Sequence, residues 1–201
     1  QNLLTASTVA PTKPNKTETD MAQNSFWSDA SRGGAIVGLT GVVFSLLGMA
    51  VPSIGFIANL ANFVVTIYLL FYFTRRRSML HAAEEGFTYS QSLGFIVAMA
   101  IFAGIIAGAY QIVASNFLFT EMFEESLATS IATLKQTGLY TNDMMDQMSG
   151  MMRSYIFSPI PTLLSNIVGN VLLFGFYGLF ISIGTKREPD IFDTTTEEDE
   201  E

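Results

Sequence analysis

The sequence predicts an all-α integral membrane protein: a four-transmembrane-helix bundle with an extracytoplasmic amphipathic helical hairpin between spans three and four. Three observations carry that prediction. Of 201 residues, 49% are hydrophobic and only 14% charged, and the mean hydropathy is +0.37, more apolar than a soluble domain of this length. Four apolar runs have the roughly 18 to 20 helical residues that cross a ~30 Å hydrocarbon core. None of these runs contains Asp, Glu, Lys, Arg or His, whereas a soluble bundle needs a charged stripe on each helix.

Residues 1–24 read as a disordered arm, rich in Thr, Asn, Pro and Ala as far as Asp20. The chain opens on Gln1, Met21 in MAQNSFW is a candidate start, and no basic-flanked apolar segment of a secretory signal precedes it. Residues 25–187 form the membrane domain. Span one covers 33–51 (GGAIVGLTGVVFSLLGMAV), the break Pro52-Ser53 follows, and span two covers 54–74. Span three covers 92–118 and span four 162–184, with an outer helical loop over 121–158. Residues 188–201 are an acidic, disordered tail holding eight of the chain's 18 acids; without it ten acids balance ten bases, and no basic excess points to nucleic acid. There is no cysteine, so disulfides and thiol chemistry are excluded.

Lysine and arginine near the span ends set the orientation. Arg32, Arg75, Arg76, Arg77, Lys186 and Arg187 fall on one side of a four-span model, and Lys135 and Arg153 on the other. The topology determinants Arg75, Arg76, Arg77, Lys186 and Arg187 therefore predict a multi-pass membrane protein with both termini cytoplasmic. Trp27 and Tyr89 sit where interfacial anchors belong.

Each span carries small or amide residues at helical spacing. Gly34, Gly38, Gly41, Ser45 and Gly48 recur every three or four residues in span one, and Gly104, Gly108, Gln111 and Ser115 do so in span three. Asn59, Asn62 and Thr66 follow Gly55 in span two, and Asn166, Asn170 and Tyr177 share a face of span four. Such glycines let backbones approach, and carboxamides bond across the seam for roughly 0.5–2 kcal/mol each. Gly34, Gly38, Gly41, Gly48, Gly104 and Gly108 are thus expected to pack helices. Asn59, Asn62, Gln111, Asn166 and Asn170 are expected to form a polar bundle interior. With no ionisable group inside a span, a proton-coupled pump is not expected.

No catalytic constellation can be assembled. His81, followed by Glu84 and Glu85 in HAAEEGFTYS, lacks a second strong ligand and reads as a solvated ion-pair cluster. In the outer loop, Phe123, Leu127, Ile131 and Leu134 mark one amphipathic helix that stops near Gly138. A second begins at Thr141 or Asn142, both good N-caps, and contains DMMDQMSGMMRSY. At 100° per residue, Met144, Met145, Met148, Met151, Met152, Tyr155 and Ile156 share a sector of about 140°, with Asp143 and Asp146 opposite. Thioethers suit copper(I), but no Cys or His joins them outside the membrane. Met144, Met148, Met151 and Tyr155 are instead expected to be an adaptable apolar face, either a lid or a partner surface. No cofactor or metal is expected.

FWSDASRGGAIVGL, then RRRSMLHAAEEGFTYSQSLGFIVAMAIFAGIIAGAYQIVASNF, a Met-rich loop and a last span ending in TKRE resemble the family of domain of unknown function 4199, small four-helix membrane proteins of Gram-negative bacteria. The resemblance covers roughly residues 21–188 and is most distinctive at GFTYSQSLGF, residues 86–95. It implies four spans and an inner-membrane location, and it brings no activity, so no catalytic residue transfers. The expected function is that of a non-catalytic accessory or assembly subunit of an envelope complex. The alternative is a passive small-molecule or lipid-handling facilitator. Expected partners are the lipid bilayer and a membrane protein or second copy, with no nucleic acid.

Overall fold

A computed structural model describes residues 16–80 and 86–187, and side chains from Ser25 onward within them except that of Pro52. Residues 1–15, the His81, Glu84 and Glu85 cluster and the acidic tail lie outside the described residues. Six α-helices follow in order: α1 (Lys16–Ala50), α2 (Gly55–Leu80), α3 (Tyr89–Val113), α4 (Thr120–Gln136), α5 (Asn142–Phe157) and α6 (Pro159–Thr185). The chain is helical from Lys16, inside the arm expected to be disordered up to residue 24. Four segments are long and apolar enough to cross a membrane: Ser25–Ala50, Gly55–Leu80, Tyr89–Leu118 and Pro159–Thr185. The fold is an all-α membrane bundle, and every span is longer than its apolar run because polar interfacial turns continue the helix.

α3 is the central helix. Half of its apolar window is buried, against about a fifth in the other spans, and it packs most extensively on α6 and then on α1. α2 packs mainly on α1 and meets α6 and α3 only sparsely. The core of Val37, Leu70, Phe95, Ile96, Met99, Phe174 and Ile181 lies toward one end of the bundle, the end that carries the arginines. Outward side chains are apolar, as in Phe56 at 80% exposure and Phe117 at 79%, which suits a lipid solvent rather than water.

At the arginine-bearing end the loop into α3 is clasped to the end of α6. Phe87 and Arg187 exchange two backbone hydrogen bonds of 2.8 Å, and Phe87 is only 2% exposed. Gly86 just before it takes φ +65°, a left-handed conformation that glycine adopts without strain. Thr88 and Gln91 form a capping box on α3, and Ser92 Oγ lies 2.7 Å from Thr185 Oγ1 in a buried pair. The distinctive GFTYSQSLGF stretch is therefore a start-and-clasp device: it satisfies orphan N–H groups and locks α3 to α6. Replacing Ser92 by alanine should lower unfolding free energy by about 1 kcal/mol, read as a lower melting temperature in detergent; an unchanged melt would remove the clasp from this account.

At the opposite end α3 widens into a π-turn over Ala114–Leu118, closed by the Phe119 N–H donating to the Ala114 carbonyl at 2.8 Å. Phe119 then leaves helical geometry (φ −134°, ψ 34°), which turns the chain into α4. Thr141 caps α5 by accepting from the Met144 N–H, and Gly138 between the helices has φ +66°.

Candidate functional site

The glycine stripes differ in how tightly they are used. A Cβ on Gly34 would lie 2.5 Å from the Met99 carbonyl oxygen, and one on Gly38 3.1 Å from the Ala103 Cα. On the other side of α3, a Cβ on Gly104 would lie 2.6 Å from the Ile167 Cα, and one on Gly108 3.1 Å from the Leu163 Cα. Those four residues hold α1, α3 and α6 at backbone-to-backbone distance. Gly41 and Gly48 do not: a Cβ there would meet Asn62 Oδ1 at 3.9 Å and the Gly55 Cα at 3.7 Å, ordinary contacts.

The expectation that five amides share one interior is corrected. Asn59 is exposed on the outside of α2, because Ala58 next to it is the residue that turns toward Gly48 of α1. Asn166 donates across the α3–α6 seam to Gln111 Oε1 at 2.9 Å and to the Thr162 carbonyl at 2.8 Å. Asn170 donates to the Asn166 carbonyl at 2.8 Å. Asn62 is different, since its Oδ1 is buried with no hydrogen-bond partner.

Asn62 lines a cavity of about 170 Å³ that takes a wall from every span, with Gly41, Thr66, Ala107, Asn170 and Tyr177 among its lining. A second recess of about 250 Å³, lined by Gln111, Tyr155, Ser165, Asn166 and Gly169, shares Asn170 and Leu173 with it. The two recesses thus meet at Asn170 and Leu173 of α6. Toward the arginines, Leu70, Phe95, Ile96 and Met99 are almost fully buried.

The family model described as "Protein of unknown function (DUF4199)" matches residues 32–187. The chain belongs to the DUF4199 family. This bears out the resemblance carried by the sequence motifs, and the match takes in spans two to four, the outer hairpin and span one from Arg32 onward. No curated protein and no solved structure matches.

In this DUF4199 chain the methionine sector of α5 is divided lengthwise. Met145 is 2% exposed, and Met148, Met152 and Ile156 are half-buried along the same side. Met144, Met151 and Tyr155 stand 49%, 65% and 57% exposed. α5 rests on α4, α6 and the π-turn, and three polar contacts fix it. Ser115 Oγ donates to the Ile156 carbonyl at 3.0 Å, Thr162 Oγ1 donates to the Tyr155 carbonyl at 2.9 Å, and Arg153 pairs with Glu124 of α4 at 2.9 Å. The inner half of the sector is packed against neighbouring helices, and the outer half is an open apolar strip.

The arginine triplet also divides. Arg75 and Arg76 are exposed, consistent with interfacial charges. The Arg77 side chain, only 10% exposed, forms a salt bridge with Asp29 of α1. It also donates to Ser25 Oγ at 3.3 Å and lies 5.7 Å from the Phe26 ring centroid. Arg77 is therefore a fastening between α1 and α2 as well as a charge at a span end. Residue spacing carries no signal for this, because the partner is 48 residues away.

Proposed function

We propose that this DUF4199 protein is a non-catalytic accessory or assembly subunit of an envelope complex. In this reading it lies in the bacterial inner membrane with both termini cytoplasmic and the α4–α5 hairpin outside. The absence of ionisable side chains within the four apolar runs supports a non-catalytic role. One observation carries the partner surface: Met144, Met151 and Tyr155 form an exposed apolar strip on a helix whose other edge is anchored. Methionine supplies adaptable contact area and tyrosine a large, rigid one, which suits docking to another membrane protein. A photocrosslinker placed at 144, 151 or 155 in cells should give discrete protein adducts, and one at the exposed polar Gln147 should not. Adducts to lipid alone from all three strip positions would overturn the assignment.

The alternative, passive handling of a small neutral molecule, draws on the unpartnered Asn62 Oδ1 in the four-walled cavity. A buried acceptor without a donor costs about 1–3 kcal/mol, so a donor-bearing solute would be stabilised there. Under this reading small polyols or amides raise the melting temperature of the wild type and leave that of Asn62→Leu unmoved. If the cavity takes no solute, Asn62→Leu melts higher than the wild type by removal of the orphan, and added solutes shift the two proteins equally.

A further inference from the structure

The carboxamides at the α3–α6 seam are only partly spent on one another. Asn166 uses both its N–H groups, one on Gln111 Oε1 and one on the Thr162 carbonyl, so the free end of that amide is its Oδ1. Gln111 accepts through Oε1, which leaves its NH2 as the free end. Asn170 donates one N–H to the Asn166 carbonyl and keeps its Oδ1. These internal bonds fix which end of each amide is on offer: one NH2 donor and two carbonyl acceptors.

None of the three is sealed off as Asn62 Oδ1 is, and all three residues line the recess of about 250 Å³. They lie within the apolar segments Tyr89–Leu118 and Pro159–Thr185, where acyl chains offer neither donors nor acceptors. No Asp, Glu, Lys, Arg or His is in the lining, so an ion entering would lose its hydration without a countercharge. Gly169 leaves one wall bare, since nothing lies within 4 Å of a Cβ there. Tyr155 and Leu173, 57% and 48% exposed, add apolar surface for a carbon skeleton. A cavity of about 150 Å³ holds benzene, so this recess admits a six-carbon ring bearing two hydroxyls.

We propose that this recess binds a neutral polyol through a vicinal diol, whose hydroxyls donate to Asn166 Oδ1 and Asn170 Oδ1 while one of its oxygens accepts from Gln111 Nε2. The two acceptors belong to residues one helical turn apart, about 5–6 Å between Cβ atoms. Two hydroxyls that turn separately suit that spacing better than two hydrogens on a single amide nitrogen. The same diol chemistry is presented by a free polyol and by the glycerol end of a lipid. The site shares Asn170 and Leu173 with the Asn62 cavity but does not require a solute to enter it.

The test is ligand-observed NMR titration of the full chain in amine-oxide micelles, which carry no hydroxyl, with vicinal cyclohexanediol, cyclohexanol and cyclohexanecarboxamide as probes. The diol should bind about fivefold more tightly than cyclohexanol, the value of one further hydrogen bond. Asn170→Leu, which gives up only a bond within its own helix, should abolish that preference. Gly169→Leu, whose side chain enters open space, should abolish binding of both and carries the test if the first variant fails to fold. Asn62→Leu should change neither. An absent preference, one that survives Asn170→Leu, or tighter binding of the carboxamide would overturn the assignment. Diol binding lost in Asn62→Leu and kept in Gly169→Leu would put the solute in the Asn62 cavity, overturning this site and supporting that reading instead. Displacement of the diol by glycerol identifies a free polyol as occupant, displacement by monooleoylglycerol alone identifies a lipid, and displacement by neither overturns the proposal.

Discussion

Gly104→Ala is expected to destabilise the bundle by about 2–3 kcal/mol, toward the upper end of what overpacking costs. The new methyl would sit 2.6 Å from the Ile167 Cα and 3.0 Å from the Asn166 carbonyl oxygen. Both are main-chain atoms, so no side-chain rotation relieves the clash and α6 must move away from α3. That displacement would also stretch the Asn166–Gln111 bond, which spans the same seam. Gly169→Ala is the matched control on α6, because nothing lies within 4 Å of a Cβ there. It should be neutral or gain up to about 1 kcal/mol from helix propensity. Equilibrium unfolding in mixed micelles measures both, and a Gly104→Ala protein as stable as Gly169→Ala would mean the α3–α6 seam is looser than its geometry.

Asymmetric costs are expected at the α1–α2 fastening. Asp29→Asn leaves the buried Arg77 guanidinium with weaker partners, whereas Arg77→Met leaves a carboxylate whose side chain is 36% exposed and can rehydrate. Removing one member of a buried pair costs about 3–5 kcal/mol, and partial exposure reduces that. We expect about 2–3 kcal/mol for Asp29→Asn and about 1–2 kcal/mol for Arg77→Met. The double variant should cost less than the sum, because neither charge is then left alone. Strict additivity in the same unfolding assay would show that the two residues act separately and that Arg77 serves only as a charge at a span end.

Much of this arrangement is legible in the residues themselves. The four spans follow from hydropathy, the α5 start from the pair Thr141 and Asn142, of which Thr141 is the cap, and the helix stop from Gly138, since each depends on a residue and its near neighbours. The site was legible only in part. The wheel of α5 places seven apolar residues in one sector, yet whether Met145 or Met144 is covered depends on where α4, α6 and the π-turn sit. Asn59 and Asn62 belong to one stripe by spacing, and a single residue of α1–α2 contact sends the first outside and leaves the second in the cavity.

What the sequence determined unaided is therefore single-helix chemistry: which segments dissolve in lipid, where they start and stop, and which face of each is small, polar or sulfur-rich. Those properties follow from local hydropathy and the 3.6-residue period. Tertiary structure alone decided the pairings: Gly104 with Ile167, Asn166 with Gln111, Arg77 with Asp29, and Arg75 with Lys186 and Arg187 around one crevice. In lipid every span is equally soluble, so partner choice rests on shape and on a few hydrogen bonds between residues far apart in sequence. No periodicity within one helix encodes which neighbour it will meet.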